Sequence, residues 1–316
     1  MFVLYRTAVC AALLVAGAPT ALAEDAPATD QTPAARQPLM ERSQEDALAL
    51  ERQLPAAEQQ QLQAGSDNFL ALWRPANSSD PAGTVIIVPG AGETADWPQS
   101  VGPLRRKFPD AGFNSLSLTL PDLVSQAPVV RAAEKPPAPV TTDSQPSPPD
   151  AGAGVEKATA PDADNGSSAA DVQDPMQVDA ERIFARIEAA VAFAQQHNSR
   201  SIVLLGHGSG AYWSARYMAE RQSPHVQKLV LVAARTPDNA PQGIDELAPE
   251  LKVPVADIFY SDRQQAADAA QQRLQASKRQ KGAPYSQVSL KTVPDKNAQA
   301  EQLFRRIKGW LNPQPA

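Results

Sequence analysis

The sequence predicts a three-layer α/β domain built on a mainly parallel sheet, and three observations point there. Short continuous runs of Val, Ile and Leu recur along the chain: "TVIIV" at 84–88, "SIVLL" at 201–205, "KLVLVA" at 228–233 and "VPVADIFY" at 253–260. Strands buried on both faces have this composition, and such strands belong to parallel sheets. Segments of helical period lie between them, so the connections are crossovers from one parallel strand to the next. Two long tracts are poor in large apolar side chains, and the remainder has the size of a single α/β domain.

The first 23 residues are expected to be a secretory signal. Arg6 supplies a short positive start, an apolar run follows, and Ala21-Leu22-Ala23 places small residues before Glu24. The run is short and is broken by Gly17 and Pro19, whereas a spanning helix needs roughly 20 apolar residues. Cleavage after Ala23, a periplasmic or secreted location and no stable membrane span are therefore expected. Cys10 is the only cysteine. It leaves with the signal, which excludes a disulfide, a thiolate metal site and a cysteine nucleophile from the mature chain.

Residues 24–41 are rich in Ala and Pro and read as a disordered spacer. The domain is expected in two parts, 42–123 and 178–312, with a tail at 313–316. Its first part opens with a helix at 43–54. Ser43-Gln44-Glu45-Asp46 has the pattern of a capping box, and Ala47, Leu50 and Leu54 form a narrow stripe that suits packing on the domain. "NFLALW" (68–73), 84–88 and "FNSLSL" (113–118) read as strands. Segment 98–110 sets Val101, Leu104 and Phe108 on one side of a helix.

Residues 124–177 hold little to offset the entropy of ordering a chain and read as a disordered Pro/Ala/Asp-rich insert. The second part resumes with a helix at 179–196, where Ile183, Ile187 and Val191 recur every four residues. Strands at 201–205, 228–233 and 253–260 follow. A helix over 297–311 closes the domain, with Leu303, Phe304, Ile307, Trp310 and Leu311 on one face and Arg305, Arg306 and Lys308 in its last turns, where the helix dipole favours cations.

The chemistry turns on "LLGHGSGA" (204–211), which leads from a strand into a helix, and on the glycine-rich "PGAGET" (89–94) after strand 84–88. Together with the strand-loop-helix ending "VPDKNAQAEQLFRRIKGWL", this order resembles the α/β-hydrolase superfamily over residues 66–312, the insert apart. More narrowly, it resembles a family of exported bacterial proteins with this fold, a domain of unknown function. The superfamily mounts its nucleophilic serine in a G-x-S-x-G elbow, a turn too tight for large flanking residues. Laid on this chain, the flanks are Gly206 and Gly210, His207 and Ser209 fill the variable places, and the nucleophile slot holds Gly208. Ser209 stands one place late. A shifted frame with His207 and Ala211 as flanks would crowd the turn.

A serine also needs an imidazole to take its proton. His197 and His225 precede strands 201–205 and 228–233, and so fall at the opposite end of a parallel sheet from the elbow. His207 lies in the elbow and is expected to pack against neighbouring strand ends. The superfamily's histidine follows the last strand; here that loop is "TVPDKN" (292–297), with Asp295, Lys296 and Asn297 but no imidazole. The resemblance assigns Gly90, Ala91, Gly92 and Glu93 to an oxyanion-type loop and Asp262 to the position of the triad acid. Asp262 suits equally a helix N-cap for 263–278. Glu93 and Trp97 are placed at the same mouth.

Three functions remain open. The first is an exported protein of this fold that has lost catalysis and binds a small molecule or an envelope component. The second is a hydrolase of ester, thioester or amide bonds with a rearranged centre around Ser209, using Lys296 as base, or Glu93 with water. The third is an envelope interaction scaffold working through the insert and spacer. No cofactor and no metal site is expected, since no ligand set shows a telling spacing. With 29 Lys and Arg against 35 Asp and Glu, and no basic run, nucleic acid is not an expected partner.

Overall fold

A computed structural model describes residues 40–126, 174–280 and 282–312. The expected signal, most of the expected spacer and residues 127–173 lie outside the described residues, as does the expected tail. Eight strands form one sheet: β1 (Gln59–Ala64), β2 (Asp67–Arg74), β3 (Gly83–Val88), β4 (Phe113–Leu118), β5 (Ile202–His207), β6 (Val226–Val232), β7 (Val255–Tyr260) and β8 (Tyr285–Leu290). Their spatial order is β1-β2-β4-β3-β5-β6-β7-β8. β1 pairs with β2 and β2 with β4 in antiparallel fashion, and every other pair is parallel. The apolar runs become the central strands, buried on both faces as parallel sheets require.

Alternation within each strand feeds two separate cores. Ile86, Val88 and Leu204 face one way, and meet α3 (Pro175–Gln196), α4 (Ser209–Arg221) and α5 (Ile244–Glu250) through Ile183, Ile187, Trp213 and Leu247. Val85, Ile87 and Val203 face the other way, toward α2 (Val101–Lys107) and α7 (Lys296–Leu311) through Leu104, Phe108, Leu303 and Ile307. Each fully buried Ile or Leu contributes about 1.5–3 kcal/mol. The remaining helices, α1 (Arg42–Gln53) and α6 (Gln264–Arg279), complete the domain. α1 packs on the sheet, with Leu50 against Leu70, Leu72 and Ala95.

Three boundaries depart from the sequence reading. The capping box at Ser43 is not formed. α1 begins at Arg42 after Glu41, with no side-chain cap, because the Ser43 N–H donates to Asp122 and its hydroxyl to Glu41. Met40 and Glu41 belong to the ordered domain rather than the spacer, since Glu41 is paired with Arg182 at 2.9 Å. Residues 124–126 and 174–177 are structured rather than part of the insert. The fully buried carboxylate of Asp179 accepts the Val124 N–H at 2.7 Å, the Ser125 N–H at 3.0 Å and the Ser125 hydroxyl at 2.6 Å. Asp174 caps α3 by accepting the Met176 N–H, with Pro175 in the first turn where its missing donor costs nothing.

Four elements carried too weak a periodic signal to be drawn from composition. β1 is a polar edge strand, QQQLQA, placed by its pairing with β2. β8 is half-polar, α4 rises straight from the elbow, and α5 contains Pro249. Under β8, a charged cluster is sealed in the domain. The wholly buried Asp257 accepts hydrogen bonds from Arg273 (2.8 Å), Tyr285 (2.9 Å) and Gln287 (2.8 Å), and Arg273 reaches Asp245 as well. Among the described residues, no helix is long and apolar enough to cross a membrane.

Candidate active-site mouth

The end of β5, the start of α4 and the loop after β3 meet at the carboxyl edge of the sheet, where open α/β sheets carry their sites. Gly208 joins β5 to α4 with φ 58° and ψ −124°, a conformation that strains any residue with a side chain. Its N–H donates to Val232 O at 2.9 Å and its carbonyl accepts the Arg235 N–H at 3.0 Å, so the turn is tied to β6 and the loop beyond it. On either side there is no room. A Cβ on Gly206 would run into the backbone of Ala211, and one on Gly210 into the carbonyls of Val88 and Pro89. A Cβ on Gly208 would meet nothing nearer than Gly90 Cα at 3.8 Å. The steric limits of the turn thus fall on Gly206 and Gly210, and the open slot falls on Gly208.

Ser209 is the first residue of α4, and its hydroxyl accepts the Ala91 N–H at 2.7 Å. Glu93 turns back on its own loop: its Oε2 accepts the Gly90 N–H at 2.8 Å and lies 2.8 Å from His207 Nδ1. Two amides of the glycine-rich loop are therefore occupied by the chain's own oxygens. An ionised carboxylate only accepts, so His207 donates from Nδ1. Burial pushes the Glu93 carboxyl up. The hydrogen bond and charge of His207, the Gly90 amide and the Arg235 charge outweigh it and hold the group below its ordinary range.

Asp262 follows β7 and is fully exposed. It does not cap the next helix. α6 begins at Gln264 with Arg263 at the cap, without a side-chain bond. The Asp262 carboxyl is held below its ordinary range, chiefly by a hydrogen bond with the Thr292 side chain. Thr292 lies in the loop after β8, where the resemblance sets a histidine. The other groups of that loop serve α7: Asp295 caps it by accepting the Asn297 N–H at 2.8 Å, and Lys296 is its first residue.

His197 bonds to Phe193 O at 2.9 Å and lies against the rings of Phe193 and Trp73, while His225 bonds to Gln195 at 2.8 Å. Neither lines the mouth. The mouth itself is an open cleft of about 660 Å³, bordered by Glu93, Trp97, His207, Gly208, Arg235 and Arg263 among others. Ser100, only 3% exposed, also borders it and carries a hydroxyl with no hydrogen-bond partner among the described residues. Trp97 packs against the second core as well as edging the cleft. Among the described residues, no group of three or more His, Cys, Asp or Glu could hold a metal ion.

Composition did not reveal the Glu93–His207 pair, because 114 positions separate its members. The available signal was the glycine-rich turn, which sends the chain back on itself three residues before Glu93. Arg235, Arg263 and Ser100 were missed as well. The two arginines follow the ends of β6 and β7, which is a position signal. Nothing in the sequence marks Ser100.

This strand order, with an elbow after β5 and an acid after β7, is that of the α/β-hydrolase fold. Solved structures agree on the fold. A candidate dienelactone hydrolase from Klebsiella pneumoniae is 14% identical with a TM-score of 0.53, covering 81% of this chain and 98% of its own. A dienelactone hydrolase from Anabaena variabilis is 12% identical with a TM-score of 0.51, covering 80% and 97%. An esterase from Pyrococcus furiosus is 12% identical with a TM-score of 0.51, covering 80% and 89%. No curated protein matches the sequence. Residues 1–313 match the family described as "Protein of unknown function (DUF3530)", and the chain belongs to that family.

Proposed function

We propose that this is an exported α/β-hydrolase-fold protein that has given up ester chemistry and acts by binding a ligand at the former active-site mouth. The observation that carries this reading is Gly208. It holds the strained backbone of a nucleophile position with no side chain to attack from it. Three further features agree. Ser209 and Glu93 cover the amides of the glycine-rich loop. No imidazole stands beside Asp262. The cleft nevertheless stays open, at a volume typical of small-molecule sites. Export rests on the Arg6-led apolar run and on Ala21-Leu22-Ala23.

The Glu93–His207 pair favours a second reading, a hydrolase with a rearranged centre in which the oriented imidazole activates water or Ser209. One experiment separates the two: exposure of the purified protein to a fluorophosphonate probe, and to p-nitrophenyl butyrate. The binding reading expects no labelling and no turnover above a mock-purified control. Turnover that disappears in Ser209→Ala or Glu93→Gln would establish the second reading in its place.

A further inference from the structure

A second recess opens beside the mouth. It has a volume of about 320 Å³ and lies past the carboxyl ends of β6 and β7, against α6. Ala233, Phe259, Ala266 and Ala269 give it an apolar lining, and Arg235 and Arg263 border both it and the mouth. We infer that this groove takes the carboxylate of an amphipathic ligand, of the class of a medium-chain fatty acid, with the head group between Arg235 and Arg263 and the chain along the apolar lining. The inference rests on the binding reading above and names the ligand class for it.

Charge argues first. No Asp or Glu lines the groove. Its third arginine, Arg273, is committed to Asp257 and Asp245. Arg235 and Arg263 form no ion pair among the described residues. Glu93 feels the Arg235 charge but is hydrogen-bonded to His207 and Gly90, and Asp262, beside Arg263, is fully exposed, where water screens its charge. Asp238 lines the mouth but not the groove. It repels an anion from the elbow side, which sets the head group at the junction.

Geometry argues second. The Arg263 guanidinium lies 6.0 Å over the Tyr260 ring. That cation–π contact uses no N–H of the guanidinium in a hydrogen bond, and a planar fork binds a carboxylate through two parallel hydrogen bonds. Arg235 is aimed by a strained turn. Ala233, two residues earlier, has φ 47°, an unusual conformation for a residue with a side chain, and its N–H is pinned to Ile258 O at 2.9 Å. The Arg235 N–H is itself fixed to Gly208 O. Both arginines therefore sit on backbone held in place before any ligand arrives.

The test is calorimetric titration of the purified protein with octanoate, octanamide and acetate. Octanoate should bind, and octanamide and acetate should each bind at least about tenfold more weakly, since one lacks the charge and the other the chain. Arg235→Gln and Arg263→Gln should each weaken octanoate by at least about tenfold. Arg305→Gln, on the exposed side of α7, should leave it unchanged, and circular dichroism should show all three variants folded. Octanamide binding as well as octanoate, octanoate binding indifferent to both arginine changes, or no octanoate binding would overturn the inference. None of these results would bear on ester turnover, which tests the binding reading separately.

Discussion

Glu93 Oε2 lies 2.8 Å from Nδ1 of His207 and 2.8 Å from the amide nitrogen of Gly90, so a single oxygen fastens the glycine-rich loop to the elbow. Such a bond to an ionised group contributes about 1.5–3 kcal/mol when little exposed to water. The His207 and Glu93 side chains are 18% and 15% exposed.

This bond sets a dependence on pH. The Glu93 carboxyl titrates below its ordinary value of 4.5 in the folded protein. A depressed folded value means that its stabilisation is complete above the unfolded value and is lost as pH falls through the folded one. Glu93→Gln should therefore lower stability at neutral pH by about 1 kcal/mol or more, and the gap from the parent should close below about pH 4. Urea denaturation at both values checks this; a gap that widens on acidification contradicts it.

Gly208→Ser should give no esterase activity. The new side chain has space beside Gly90, but no imidazole adjoins Asp262. The change should also cost about 1–3 kcal/mol, from forcing a side chain into the strained conformation at φ 58°. Adding Thr292→His supplies an imidazole in the loop after β8, where the resemblance sets one. Turnover of p-nitrophenyl butyrate by the single variant would show that His207 or another group already serves as base.

Gly206→Ala and Gly210→Ala should each destabilise more than Gly208→Ala. Their methyl groups meet backbone atoms, which cannot swing aside as a side chain does. Overpacking of this kind costs about 1–3 kcal/mol or more. Thermal unfolding of the three variants gives the order directly.

Asp257→Ala should cost about 3–5 kcal/mol, because it strands a buried guanidinium. Arg273 would keep only Asp245, whose side chain is 39% exposed. A loss under about 1 kcal/mol by chemical denaturation would mean that water replaces the missing carboxylate.

Replacing residues 127–173 with a short Gly/Ser linker should leave the melting temperature nearly unchanged. Closure entropy changes only slowly with loop length. The flanks are held independently, by Asp179 on one side and the Asp174 cap on the other. A fall of many degrees would mean that the segment packs on the domain.

The central strands and the amphipathic helices were legible because burial writes itself into period and composition: Ile183, Ile187 and Val191 announce α3, and "TVIIV" announces β3. β1 was not legible, since an edge strand of glutamines is ordered by its neighbour rather than by its own side chains. At the site, the glycine spacing marked the turn, but contacts between distant positions left no trace in any local pattern. Ser209 with Ala91, and Glu93 with His207, are of that kind.

The crowding at Gly206 and Gly210 has a consequence for how this chain keeps a record of its ancestry. Those two glycines answer to the backbone around them, whether or not anything reactive stands between them. Mutation can therefore erase the chemistry of the turn at one position while the outline of the motif persists at its neighbours. Only the residue between them, Gly208, reports which side chain the turn presents.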